Sequence, residues 1–379
     1  MKKILFILPW LAMGGLEKEQ VTIANALSAR GYDVTVMTLS PENDLLPELD
    51  KSVRYVFKPL KPHPIMKRIP YVRHKFYDDG MWETRASAKR LYNYYVGDEK
   101  YDVEIAFFRG LPIKIISGST NKLSVKLAWV HNDFRKAEGY KNNFKSLKEV
   151  VLAYSAFDKV VCVSNEAKKG FIETLQDTKN LITVYNILPV KRIKELSEEV
   201  VPDRKKAEFD IVLVGRLSDL AKGQIRLINA VVRLKERGYD IALTLVGGGV
   251  DEQRIKDHVK EKNAEEYVFM VGNQINPYPY IARSDLLVCA SYFEGFNLTV
   301  AEALILGVPV LSTDCAGPNE ILDHGKYGMI VENSEDGLYS GIKELMDKPE
   351  KLAYYKAQAK KRVPFFDEEK TIKEITELF

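Results

Sequence analysis

The chain has 379 residues, too many for one small core and enough for two domains of ordinary size. Its 56 basic and 53 acidic residues leave a formal charge of +3, a balance that argues against a nucleic-acid partner. A content of 46% hydrophobic and 29% charged residues excludes a disordered chain, and Cys162, Cys289 and Cys315 fit neither a zinc spacing nor a disulfide framework, which points to a reducing, cytoplasmic setting.

The opening "MKKILFILPWLAMGGL" has the charge and apolar run of a secretory leader. Pro9 interrupts the run and no clean small-residue cleavage site follows, so the reading is a first buried strand. No other stretch approaches the ~20 apolar residues of a membrane span. Gly14 and Gly15 lie between this strand and a helix whose apolar stripe is Leu16, Ile23, Ala24 and Leu27. They would let backbone N–H groups approach a phosphate, or simply form a tight turn. "ARGYDVTVMTL" then supplies the next strand. Lys58 to Lys75 holds six Lys or Arg and no acid. It reads either as a solvated loop or as a patch for anionic lipid headgroups, with Ile65, Met66, Ile69 and Tyr71 as apolar contacts. Further strands are "YDVEIAFF", "VKLAWV", "KVVCVS" and "LITVYN". His131, Asn132 and Asp133 stand at the end of the second of these, which makes His131 a candidate despite the more common structural role of a lone histidine.

From Val190 to Asp210 the chain is charged, carries Pro202 and lacks a strand pattern. This linker sets the boundary near residue 190, giving an N-terminal domain 1–190 joined by a returning segment 361–379, and a C-terminal domain 191–360. The second half repeats the first: strand "FDIVLV", a glycine-containing loop, a helix striped by Ile225, Ile228, Val231 and Val232, then "ERGYDIALTLV". In both halves R-G-Y-D places a glycine, Gly31 or Gly238, where a helix ends in left-handed backbone. Strand–loop–helix–strand twice over means two doubly wound α/β units, and such sheets bind ligands beyond the carboxyl ends of their strands. Two of them facing each other make a cleft. In "VGRLSDLAKG" the cations Arg216 and Lys222 follow a strand, with Gly215 and Gly223 loosening the loop. Arginine binds phosphate oxygens with a fork and lysine as a point charge. Gly247 to Gly249 form a similar loop. Asn297 can cap a helix from about Leu298 to Leu306, with Glu294 before the cap and Glu302 one turn inside. A carboxylate suits a sugar's adjacent hydroxyls. Helix electrostatics for Glu302 and plain solvation for Glu294 are the alternative. The last stripe, Ile372, Ile375 and Leu378, needs a surface to dock on.

"EGFNLTVAEALILGVPVLST", followed by "DCAGPNEIL" and "KYGMIV", resembles the E-x7-E signature of family 4 of the retaining glycosyltransferases. The resemblance implies an α/β chain of the GT-B fold: two Rossmann-like, doubly wound parallel-sheet domains with the donor in the cleft. The last helix would cross back to the first domain. By the same resemblance, Glu302 would hold the ribose hydroxyls and Glu294 those of the donor sugar, with Gly295, Phe296, Asn297 and Leu298 in the same binding stretch. Arg216 and Lys222 would clamp the diphosphate, here with five residues between them where the family more often has four. Gly247 and its neighbours would line the nucleotide pocket, Gly272 and Asn273 would lie near the base, and His131 would touch the sugar.

The implied activity is retaining transfer of a hexose or N-acetylhexosamine from a UDP-sugar to a glycan or lipid-linked acceptor in bacterial surface-polysaccharide synthesis. Its catalytic set is Glu294, Arg216, Lys222 and His131. No D-x-D triplet occurs, so neither a metal nor another cofactor is expected. Two other classes compete. An NAD-dependent oxidoreductase would share the paired domains but lacks its full glycine fingerprint here, and a non-catalytic nucleotide-sugar-binding subunit would share the motifs.

Overall fold

The structure is a computed structural model that describes residues 1–59, 81–136, 138–176, 180–202 and 206–379. The proposed lipid-facing patch from Lys58 to Lys75 therefore lies, beyond its first two residues, outside the described residues.

The chain divides into two compact units, Met1–Asn186 with Glu369–Phe379, and Ile187–Glu368. Among the described residues the first unit holds seven parallel strands: β1 (Lys3–Leu8), β2 (Asp33–Thr38), β3 (Arg54–Phe57), β4 (Val103–Ala106), β5 (Val125–Val130), β6 (Lys159–Cys162) and β7 (Leu181–Thr183). Their order is β3-β2-β1-β4-β5-β6-β7. The second unit holds β8 (Phe209–Val214), β9 (Ile241–Val246), β10 (Val268–Met270), β11 (Leu286–Cys289), β12 (Val310–Thr313) and β13 (Met329–Val331), in the order β10-β9-β8-β11-β12-β13. The central strands are buried on both faces, as an apolar run such as "KILFIL" demands: Ile4, Leu5, Phe6 and Ile7 are inaccessible to solvent. The fold is thus the doubly wound α/β architecture expected in each half.

The R-G-Y-D repeat has a single structural meaning. Helix Gly15–Ala29 ends with Gly31 N–H donating to Ser28 O and Tyr32 N–H to Leu27 O, at 2.9 and 3.2 Å. Helix Gln224–Glu236 ends identically, Gly238 to Lys235 O and Tyr239 to Leu234 O, at 3.0 and 3.2 Å. Both glycines have positive φ, +84° and +87°, and an added Cβ would meet nothing within 4 Å. The left-handed backbone, rather than lack of space, is what requires glycine. In the first repeat the aspartate then starts the next strand in register, Asp33 opposite Lys3, whereas Asp240 stands just before β9, which starts at Ile241 opposite Phe209.

The units divide at residue 187 and at residue 369 rather than at 191 and 361. The later return has a clear cause. Helix Pro349–Arg362 stays with the second unit, because Arg362 donates through Nε to Ile321 O and through Nη2 to Glu320 O, at 2.8 and 3.0 Å. Only Glu369–Phe379, beginning one residue into helix Glu368–Thr376, returns, with Ile372 and Ile375 fully buried. Arg30 pairs with Glu369 at 2.5 Å, but Glu369 is 80% exposed, so this bridge contributes little beside the apolar burial. Ile372→Ala and Ile375→Ala are each expected to destabilise the first unit by about 2–5 kcal/mol. Urea unfolding followed by tryptophan fluorescence checks this, and a cost below about 0.5 kcal/mol at both positions would contradict the docking.

Candidate functional site

In the second unit the strand order reverses between β8 and β11, so the loops leaving these neighbouring strands diverge and leave a crevice at their carboxyl ends. The first loop carries Arg216 and Lys222. Gly215 and Gly247 approach so closely that a Cβ on Gly247 would lie 2.0 Å from Gly215 O, and one on Gly249 would lie 2.3 Å from Leu217 O. "LVGGGVDEQ" is therefore a packing requirement of the β8 loop. Asp219 closes that loop: its backbone N–H donates to Asp251 Oδ2 and its Oδ1 accepts from Ile225 N–H, both at 2.8 Å. The short helix Asp219–Lys222 accommodates the five-residue spacing between the two cations.

The second loop follows β11. Tyr292 N–H donates to Ala221 O at 2.9 Å and ties this loop to the short helix. Lys222 Nζ then reaches Glu294 Oε1 at 2.6 Å, and Ser291 Oγ donates to the same oxygen at 2.6 Å. Burial opposes the lysine's charge, but the Glu294 carboxylate outweighs it and raises Lys222 above its ordinary value. Both contacts fall on Oε1, so Oε2 remains available as an acceptor. Arg216 is exposed, and among the described residues its guanidinium has no partner. A paired lysine and an unpaired arginine thus stand together at one switch point.

Asn297 sits at φ +83° and caps helix Leu298–Ile305, its side chain accepting from Val300 N–H at 3.2 Å. Its amide Nδ2 donates to Cys289 Sγ at 3.2 Å, which anchors the cap to the end of β11. Glu302 lies on this helix and is 7% exposed, while Phe296 is buried. Gly317 packs so tightly on the Phe296 backbone that a Cβ would come within 2.3 Å of its carbonyl oxygen, which explains why "DCAGPNE" accompanies the glutamate motif. Asn273 reaches the same neighbourhood as Gly248, whose Cβ would lie 2.9 Å from the Asn273 amide nitrogen. The second unit therefore gathers Arg216, Lys222, Gly247, Asn273, Glu294, Gly295, Phe296, Asn297, Leu298 and Glu302 on the loops and helix starts after its strands.

Gly14, Gly15 and His131 belong to the first unit. Gly14 precedes helix Gly15–Ala29, yet the Glu17 carboxylate lies against it: a Cβ there would be 2.2 Å from Glu17 Oε2. Trp10 Nε1 holds the other carboxylate oxygen at 2.8 Å. A phosphate at this helix start would meet an acid already in place. His131 is 7% exposed, and Nε2–H donates to Phe107 O at 2.9 Å, so Nδ1 is the acceptor nitrogen. Nδ1 faces Glu19 Oε2 at 3.6 Å. Burial raises Glu19 well above the usual carboxylate range. Burial also lowers His131 to about 3, with the nearby Arg109 charge acting in the same direction.

Three residues at the sites escaped the sequence reading. Glu17 and Glu19 sit inside a helix that reads simply as amphipathic, and Arg109 sits in "FFRG". The signal for Arg109 was present, since it directly follows a strand, as Arg216 does.

Residues 193–362, within the second unit, match the family model described as glycosyl transferases group 1. Among curated proteins, the chain is 31% identical over 236 residues to a Campylobacter jejuni enzyme, N-acetylgalactosamine-N,N'-diacetylbacillosaminyl-diphospho-undecaprenol 4-alpha-N-acetylgalactosaminyltransferase. That match covers 61% of this chain and 63% of the enzyme, less than two thirds of its length. An uncharacterized glycosyltransferase of Haemophilus influenzae is 25% identical over 356 residues, 92% of each chain. Among solved structures, Anabaena HepE in complex with UDP and glucose aligns with a TM-score of 0.77 at 19% identity, covering 100% of this chain and 99% of that one. The fold is GT-B.

The His131 environment makes a direct prediction. Its folded value of about 3 lies below the ordinary 6.5, so the unfolded chain takes up a proton that the folded one refuses. The buried ring therefore costs no stability above about pH 6.5 and destabilises the fold progressively as pH falls toward 3. The ring-proton NMR signals of His131 should stay at the neutral position from about pH 8 to 5. A titration centred near pH 6.5 would contradict the burial.

Proposed function

We propose that the chain is a retaining glycosyltransferase that moves a hexose or N-acetylhexosamine from a UDP-sugar to a glycan or lipid-linked acceptor. The observation that carries this reading is the group at the β8–β11 switch point: exposed Arg216 beside a lysine held by Glu294. Two cations there suit a diphosphate, and the acceptor-only carboxylates of Glu294 and Glu302 suit hydroxyl pairs. Glu302 holds the ribose, and Glu294 offers Oε2 to the donor sugar. His131, neutral at physiological pH, serves as a hydrogen-bonding contact rather than a base.

In the transfer step the bond from the sugar's anomeric carbon to the diphosphate oxygen breaks and a bond to the acceptor oxygen forms on the same face. The acceptor's proton passes to the departing diphosphate. Arg216 and Lys222 stabilise the charge that grows there, the work a divalent metal does in other transferases. The named substrates of the C. jejuni relative are consistent with a lipid-linked acceptor in bacterial surface-glycan assembly. The cytoplasm supplies UDP-sugars to such an acceptor. Among the described residues no helix is long and apolar enough to cross a membrane.

Arg216→Ala should weaken calorimetric UDP binding and lower sugar transfer by on the order of 10²–10³, with unfolding unchanged. Unaltered UDP affinity in that variant, or NAD(H) binding in place of UDP, would overturn the reading. Transfer activity should also persist in excess EDTA, since cationic side chains occupy the metal's role. Activity that vanishes in EDTA and returns with Mn²⁺ would instead put a metal on the diphosphate.

A further inference from the structure

Helix Gln224–Glu236 follows the loop that carries Arg216 and Lys222, and most of the helix is buried by apolar residues such as Leu227, Ile228 and Val231. A cation on its first turn, Arg226, is nonetheless only 6% exposed. The guanidinium donates through Nε and Nη2 to Ala290 O, at 3.0 and 2.6 Å, and through Nη2 to Asn333 Oδ1 at 2.8 Å. It also lies 3.7 Å from the centre of the Tyr292 ring, which is 45% exposed and covers the cation on that side. Among the described residues its hydrogen-bond acceptors are neutral, one main-chain carbonyl and one side-chain amide.

Ala290 and Tyr292 flank Ser291, whose hydroxyl holds Glu294 Oε1. Asn333, just after β13, donates through Nδ2 to Tyr292 O and to Asp314 O, at 3.1 and 3.0 Å. Arg226 and Asn333 thus tie the loops after β11, β12 and β13 to the helix that follows β8. Gly223 makes room for this: a Cβ there would lie 2.2 Å from Ala290 O and 2.5 Å from Arg226 Nε. Burying a cation among neutral partners is costly, and an apolar side chain of similar size is often as stable or more so. Geometry explains the arginine better than stability does. A guanidinium offers a planar fork to one carbonyl and a flat face to one ring at the same time, which neither methionine nor lysine can do.

We propose that Arg226 is a positioning residue of the donor site, fixing the loop after β11 so that Glu294 meets Lys222 in a single geometry. The consequence for binding rests on the transferase reading above. Arg226 itself touches no substrate, and its effect passes through Glu294.

Two measurements on the full chain test this: calorimetric UDP binding, and backbone hydrogen exchange of the ligand-free protein followed by mass spectrometry. Arg226→Met should keep the native unfolding midpoint yet weaken UDP by about tenfold, and Arg226→Lys should weaken it by less. On a Glu294→Gln background the loss from Arg226→Met should shrink to under about twofold, because the pair it serves is already broken. In Arg226→Met, exchange should quicken by about tenfold around the Tyr292 N–H and stay native in β9. Native UDP affinity in Arg226→Met, or the same loss on both backgrounds, would overturn the role. So would exchange that quickens evenly through the second unit, the mark of an arginine that only stabilises the fold. If the native chain does not bind UDP, the transferase reading fails, and the exchange measurement still decides whether Arg226 fixes the loop. Should Arg226→Met not fold, Arg226→Lys decides through the same cycle, because it keeps the charge and loses the fork.

Discussion

The ion pair between Lys222 and Glu294 is the interaction on which the site depends. It joins the loop after β8 to the loop after β11 at the one place where the sheet order reverses. Neither group is fully solvated: their side chains are 29% and 11% exposed, so each charge relies on the other. The Tyr292–Ala221 backbone bond and the Ser291 hydroxyl fix the geometry before any ligand arrives. A preorganised cation costs no rearrangement when charge develops on a leaving group. Arg216, by contrast, is exposed and has no partner among the described residues, ready to add a second positive charge.

The surrounding constraints are mostly steric. Gly215, Gly247 and Gly249 let two loops run in backbone contact, and Gly317 seats the "CAGP" turn on Phe296. These letters accompany the glutamate motif because they build the walls that hold it. The first unit repeats the same architecture with different contents. Its switch point carries Trp10, Phe108 and Arg109, and burial there raises Glu19 and lowers His131.

Much of this was legible in the sequence for identifiable reasons. The apolar strands, the two helix-ending glycines and the Asn297 cap each follow from local chemistry that one chain displays by itself. The placement of Arg216, Lys222 and Glu294 after strands followed from the strand pattern alone. What was not legible needed tertiary contacts. That Glu17 would fill the helix start beside Gly14, or that Glu19 would face His131, depends on which helix face is buried. The point of return of the C-terminal segment depended on Arg362 reaching the Ile321 and Glu320 carbonyls, which no local pattern shows. Arg109 was passed over because an arginine in a loop is ordinarily solvated, and only its burial without a carboxylate partner among the described residues makes it informative.

The central claim is that the loops following β8 and β11 hold a nucleoside diphosphate. A crystal structure with UDP tests it most directly. The account predicts diphosphate oxygens within hydrogen-bond distance of Arg216 and Lys222, with the ribose hydroxyls on Glu302. UDP bound away from all three side chains would contradict it.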